Sequence, residues 1–239
     1  MHRYDGKVAL VTGAGRGLGR AHALLLASRG ARVLVNDLGT SGAGTGADAS
    51  PAQAVVDEIT TAGGRAVANG DSVVDGGRIV QAALDHYGRI DIVINNAGFL
   101  RDVAFHKMTE ADWDDLYAVH LRGAFRIVHA AWSRMREQGY GRIVNTSSAA
   151  GIYGNFGQAN YGTFKLALHG LTQPLAVEGR AKGIHVNTIA PAADSRLTRT
   201  VMTAEQLAPM RAELVSPLVA WLCHEDCTET GGLFEVGGG

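Results

Sequence analysis

Lys7-Val-Ala-Leu-Val-Thr12, Gly13-Ala-Gly-Arg-Gly-Leu-Gly19, Arg20-Ala-His-Ala-Leu-Leu-Leu-Ala-Ser-Arg29 and, past Gly30, Arg32-Val-Leu-Val-Asn-Asp37 follow one another at the start of the chain. The first and last runs are short, apolar and β-branched, the pattern of strands buried on both faces. The middle run is a helix ended by glycine. Strand, glycine turn, helix and strand make a βαβ unit. Its glycines let backbone N–H groups and a helix N-terminus approach a pyrophosphate, which marks Gly13, Arg16, Gly17, Leu18 and Gly19 as cofactor-contact candidates. Asp37 closes the second strand, where a carboxylate accepts hydrogen bonds from ribose hydroxyls and repels a 2′-phosphate. Arg16 is the competing signal, since a guanidinium pairs with that phosphate. The balance favours NAD over NADP.

The alternation continues downstream. Residues 39–50 are small and aperiodic, a loop that either folds over the adenosine end of the cofactor or is a disordered insertion. Pro51 to Thr61 reads as a helix, Arg65 to Asn69 as a strand, and Asp71 or Ser72 as the start of another helix. Asp91-Ile-Val-Ile-Asn95 is a fourth strand running into Asn96-Ala97-Gly98, where small residues pass close to a ligand. Thr109 and Glu110 cap a long helix towards Met135. Gly141 to Thr146 is a fifth strand that delivers Ser147 and Ser148 at its carboxyl end, where ligands bind in open α/β sheets. A helix bearing Tyr161 ends at Gly183, and Ile184 to Ala190 is a sixth strand. Residues 192–213 fit a mobile segment over a pocket. Leu214 to Cys223 is a last helix and Gly232 to Val236 a last strand. Residues 1–239 thus read as one doubly wound α/β domain with a seven-stranded parallel sheet and helices on both faces.

Tyr161-Gly-Thr-Phe-Lys165 is the stretch with chemical potential. One helical turn apart, the two side chains share a face, and an ammonium beside a phenol favours the phenolate. The result is a group able to take a proton from an alcohol near neutral pH.

Composition excludes several alternatives. Lys+Arg total 22 against Asp+Glu 23, a net charge of -1, so no basic excess points to nucleic acid or a membrane surface. No apolar segment precedes the first strand, and no run approaches membrane-spanning length, which makes the cytoplasm the default expectation. Cys223 and Cys227 stand one turn apart around His224, Glu225 and Asp226. A structural zinc site needs four ligands, so the expectation is reduced structural cysteines and no metal.

The glycine turn, Asn95-Asn-Ala-Gly98, Ser148 and Tyr161-x-x-x-Lys165, in this order, resemble the short-chain dehydrogenase/reductase family over nearly the whole chain. Five longer strings, Val35 to Gly39, His120 to Gly123, Gly151 to Tyr161, Trp221 to Glu225 and Gly231 to Val236, are most similar to its (3R)-hydroxyacyl-CoA dehydrogenases. The resemblance implies hydride transfer between NAD and a secondary alcohol or its ketone, with a (3R)-3-hydroxyacyl-CoA or a steroid or small ketone as substrate. It makes Tyr161 the acid/base, Lys165 the group that lowers its pKa and binds the nicotinamide ribose, and Ser148, rather than Ser147, the donor to the substrate oxygen. Ser147 would then face the other side of the strand. Asp71, Ser72, Asn95, Ala97, Gly98 and Pro191 become cofactor contacts, though Asp71 and Ser72 also read as caps.

Two positions depart from the family. His120 stands where an asparagine supports a water relay, so it either holds that water, shuttles a proton, or merely packs. Pro191-Ala192 replaces a Pro-Gly, which bears on how the loop to Thr198 meets the carboxamide. A non-catalytic dinucleotide-binding relative usually lacks the tyrosine or lysine, and both are present. The family also implies a homodimer or homotetramer through the long helix and the Tyr161 helix. Phe164, Leu168, Leu171, Ala167 and Gly170 suit either that contact or an internal core.

Overall fold

The computed structural model describes residues 2–193, 203 and 210–237. Seven strands form one sheet in the order β3-β2-β1-β4-β5-β6-β7: β1 Val8–Thr12, β2 Arg32–Asn36, β3 Arg65–Asn69, β4 Ile92–Asn95, β5 Gly141–Thr146, β6 Ile184–Ala192 and β7 Leu233–Gly237. Every pair is parallel. Among the described residues the helices are α1 Gly17–Ser28, α2 Ser50–Thr61, α3 Gly76–Tyr87, α4 Glu110–Leu116, α5 Ala124–Gln138, α6 Ala149–Tyr153, α7 Ala159–Arg180 and α8 Ser216–Leu222.

The continuous apolar strands are explained by two cores, one on each face. Ala9, Val11, Val33, Val35, Ile92 and Ile94 pack with residues of α1, α2 and α8. Their strand neighbours Leu10, Leu34 and Val93 pack with residues of α3 and α5. Successive side chains of a strand point to opposite faces, so a sheet covered by helices on both sides demands apolar residues at every position. Strand order reverses direction between β1 and β4, and the crevice for a ligand lies there, beyond the carboxyl ends of the strands.

Two local departures place the site. Thr109 caps α4 through Asp112 in a reciprocal capping box, and Glu110 takes no part in it. The expected long helix is interrupted by a π-helical turn at Tyr117–Gly123. Such turns insert an extra residue, rotate the downstream helical face, and concentrate at functional sites. Here the turn carries His120, which is buried.

Candidate active site

A cleft of about 370 Å³ opens where the strands end. Of the residues expected from sequence, all but Gly19 and Asn95 line it. Gly13 and Gly17 have φ of +62° and +52°, in the left-handed region, and a Cβ on Gly13 would stand 2.8 Å from the Ala97 Cα. The α1 N-terminus has no side-chain cap, which leaves N–H groups of its first turn for a ligand. The Asp37 carboxylate accepts from the N–H of Gly15 and of Gly39, both at 2.7 Å, and is thereby fixed at the rim.

Asn95 and Gly19 are corrections. The Asn95 side chain is buried and donates to Asn145 Oδ1 at 2.9 Å, away from the cleft. Its neighbour Asn96 does the work at the turn, donating through Nδ2 to the carbonyls of Thr12 (3.0 Å) and Gly13 (3.2 Å). Thr12 Oγ1 accepts from the N–H of Asn96 and Ala97, at 3.0 and 3.1 Å, locking β1 to the end of β4. Gly19 lies beneath the turn, where a Cβ would stand 2.3 Å from the Gly13 carbonyl oxygen, so it serves close packing of helix on strand. Ser72 caps a 3-10 turn by accepting from the Val74 N–H at 3.3 Å, whereas Asp71 pairs with Arg78 at 3.1 Å. The small-residue loop lies at the cleft: Gly42 and Gly44 line it, and Gly44 lies against the Phe99 ring. The loop to Thr198 lies outside the described residues.

β5 and α7 supply the other side of the cleft. Ser148 caps α6 and leaves its hydroxyl at the cleft. The Ser147 hydroxyl turns to α7, donating to the Lys165 carbonyl at 2.6 Å. Asn160 anchors the start of α7 by donating to the carbonyls of Arg101 and Asp112, at 3.3 and 3.1 Å, and accepting from the Tyr161 N–H at 2.8 Å. Lys165 Nζ donates to the Thr146 carbonyl at 2.7 Å and stands 5.5 Å from the centre of the Tyr161 ring. The His120 ring meets the Tyr161 ring edge to face, with centroids 5.4 Å apart.

Residues 7–209 match the family model described as short chain dehydrogenase. The chain belongs to the short-chain dehydrogenase/reductase family. It is 59% identical over 236 residues to peroxisomal multifunctional enzyme A of Dictyostelium discoideum, covering 99% of this chain and 54% of that protein. It is 58% identical over 237 residues to peroxisomal multifunctional enzyme type 2 of Mus musculus, covering 99% of this chain and 32% of that protein. The chain therefore spans about half the length of the first relative and a third of the second. A 7α-hydroxysteroid dehydrogenase solved with NADH and 7-oxo glycochenodeoxycholic acid has TM-score 0.88 and 30% identity, covering 99% of this chain and 95% of that one. The cytoplasmic expectation is overturned by these relatives, since the first two are peroxisomal enzymes. It rested on the lack of an apolar segment before β1, which says nothing about that organelle.

This short-chain dehydrogenase is an oxidoreductase, and its cleft fits the family's nicotinamide dinucleotide: an uncapped helix end, two left-handed glycines and a fixed carboxylate meet in one crevice. Its acid/base side is less simple than the spacing implies. Burial pushes the Tyr161 hydroxyl up to about 12, although the Ser148 hydroxyl draws it back. Burial also pushes the Lys165 ammonium down to about 7. The expected lowering of Tyr161 by Lys165 is absent, because both charged forms lose water and the ammonium is turned to the Thr146 carbonyl. His120 is pushed down to about 3 by burial and by Lys165. Its Nε2 faces the Phe99 carbonyl at 2.9 Å, and its Nδ1 is buried with no partner among the described residues. Its ring lies between Gly98 and Tyr161.

Proposed function

We propose that this chain oxidises a secondary alcohol, or reduces its ketone, with NAD as the hydride partner and a (3R)-3-hydroxyacyl-CoA as substrate. The observation that carries this reading is the meeting of Ser148, Tyr161 and Lys165 in the same cleft as Gly13, Gly17 and Asp37. Bound NAD supplies the hydride acceptor and, when oxidised, a positive charge in the cleft. Tyr161 takes the proton from the substrate oxygen in oxidation and returns it in reduction. Ser148 donates a hydrogen bond to that oxygen and orients it. Lys165 holds ribose hydroxyls and adds positive charge when protonated, and burial holds its pKa down to about 7 in the ligand-free cleft. Asp37 favours NAD over NADP, because its carboxylate retains lone pairs for two ribose hydroxyls and repels a phosphate. The thioester assignment rests on the sequence resemblance, and the whole activity of the multifunctional relatives is not carried over.

The test is NADH formation from (3R)- and (3S)-3-hydroxyacyl-CoA. The expected result is turnover of the (3R) compound alone. Absence of turnover with both, together with turnover of a 7α-hydroxysteroid, would favour the second reading, which the likeness to the 7α-hydroxysteroid dehydrogenase supports.

We further propose one domain across residues 1–239 and a homodimer or homotetramer. Phe164 and Leu168 belong to the interior, at 4% and 2% exposure, so the interface would use other residues of these helices. Phe125 on α5 and Leu166 and Val177 on α7 are exposed and apolar. Light scattering at micromolar concentration would show a monomer if this is wrong.

A further inference from the structure

The segment Cys223-His-Glu-Asp-Cys227 draws attention in sequence through its cysteines, and in the structure they are the inert part. Both are free and buried. Burial pushes the Cys223 thiol up to about 12 and raises Cys227 as well, so neither offers a ready thiolate. Between them, His224 Nδ1 and Asp226 Oδ2 stand 3.4 Å apart. From the start of the chain, the His2 ring comes to 4.4 Å from that of His224 and 4.9 Å from that of Trp221. One ligand atom from each of His2, His224 and Asp226 lies within 4.8 Å of the other two.

We infer that His2, His224 and Asp226 form a binding site for a divalent cation of the zinc type. Two imidazoles and one carboxylate are a donor set suited to zinc and its neighbours, whereas magnesium and calcium prefer oxygen alone. In a tetrahedral centre with bonds of about 2.0–2.2 Å, two ligand atoms stand roughly 3.4 Å apart. His224 and Asp226 already have that separation. The wider 4.8 Å spread of the triad closes by rotation of His2, and water completes the shell.

Hydrogen bonds brace the frame around the triad. Arg142 is buried and donates to the carbonyls of His224 and Glu225, at 3.1 and 3.3 Å. The Tyr4 hydroxyl donates to the Ala220 carbonyl, which seats the first residues of the chain against the last turn of α8. The Asp226 N–H contact to His224 Nδ1 is long, at 3.2 Å, and an ion at that nitrogen replaces it. Of the neighbouring cations, Lys7 is paired with Glu225 at 3.6 Å, and Arg142 is committed to the two backbone carbonyls. A bound ion would staple the start of the chain to the Trp221–Cys227 turn.

The test uses the full chain, free of any affinity tag, reduced and stripped with chelator, titrated with zinc chloride by calorimetry and with cobalt(II) by absorbance. The expected result is one saturable site per chain, with visible d–d bands from cobalt and no thiolate charge-transfer band. His2→Ala and Asp226→Asn alter surface side chains and should each weaken zinc at least tenfold. Zinc at a hundredfold excess over its Kd should raise Tm by about 5–10 °C. No saturable binding, unchanged affinity in either variant, or a thiolate band from cobalt would each overturn the site.

Discussion

The two sides of the cleft are built on opposite principles. The nucleotide side, from β1, β2 and the end of β4, is made of backbone, glycines and short polar side chains held by backbone hydrogen bonds, such as Asp37 between Gly15 and Gly39. The chemical side, from β5, α7 and the π-helical turn, is made of buried titratable groups displaced from their ordinary pKa values: Tyr161 up to about 12, Lys165 down to about 7 and His120 down to about 3. Binding asks for preformed donors and fixed charge. Proton transfer asks for groups whose ionisation responds to what enters the cleft. The difference teaches that binding and chemistry should separate under mutation.

The largest effect should come from Tyr161→Phe. It should cut kcat on the order of a hundredfold or more, the scale of a general acid/base, while the Kd for NAD stays within about twofold. Equal losses in both would merge the two sides into one. Next comes Gly98→Ala, because a Cβ there would stand 2.3 Å from His120 Cε1 and displace the ring that packs on Tyr161. A misplacement of that kind should cost about tenfold to a hundredfold in kcat, measured at saturating NAD. Asp37→Asn probes the other side. It should lower the preference for NAD over NADP in kcat/KM about tenfold, which is 1.4 kcal/mol, and leave kcat with saturating NAD unchanged.

The last effect is read on stability in acid rather than on turnover. His22 and His120 are both buried, each with a pKa pushed down to about 3. Between pH 6.5 and 3 the unfolded chain takes up protons that the folded chain refuses. Stability is therefore full above pH 6.5 and falls as pH drops from there, with both histidines contributing. Urea unfolding between pH 7 and 4 should show this slope, and His120→Asn should remove about half of it.

How much of this is legible in the sequence depends on the range of the interaction. The βαβ unit, the seven strands and the place of Ser148, Tyr161 and Lys165 follow from local period, turn residues and motif order, and strand ends fall within two residues of expectation. Asn95 and Asn96 are confused because neighbours at a strand end face opposite sides, and only the last backbone hydrogen bonds decide which one meets the glycine turn. The π-helical turn at Tyr117–Gly123 leaves no period to read, since one extra residue hides inside an otherwise helical pattern. The pKa values of Tyr161 and Lys165 depend on how completely the surrounding elements exclude water, which spacing along one helix does not contain. The approach of His2 to His224 joins the two ends of the chain and has no sequence signature at all.

Burial holds the catalytic side off its ordinary ionisation before any ligand binds, and the sharpest test is to titrate Tyr161 itself. Tyrosine labelled with ¹³C at Cζ, with Tyr161→Phe to assign the signal, gives its pKa by NMR. The expected Tyr161 pKa is about 12 in the ligand-free protein, well above the ordinary value of 10.0. A Tyr161 signal titrating at or below 10.0 would contradict this.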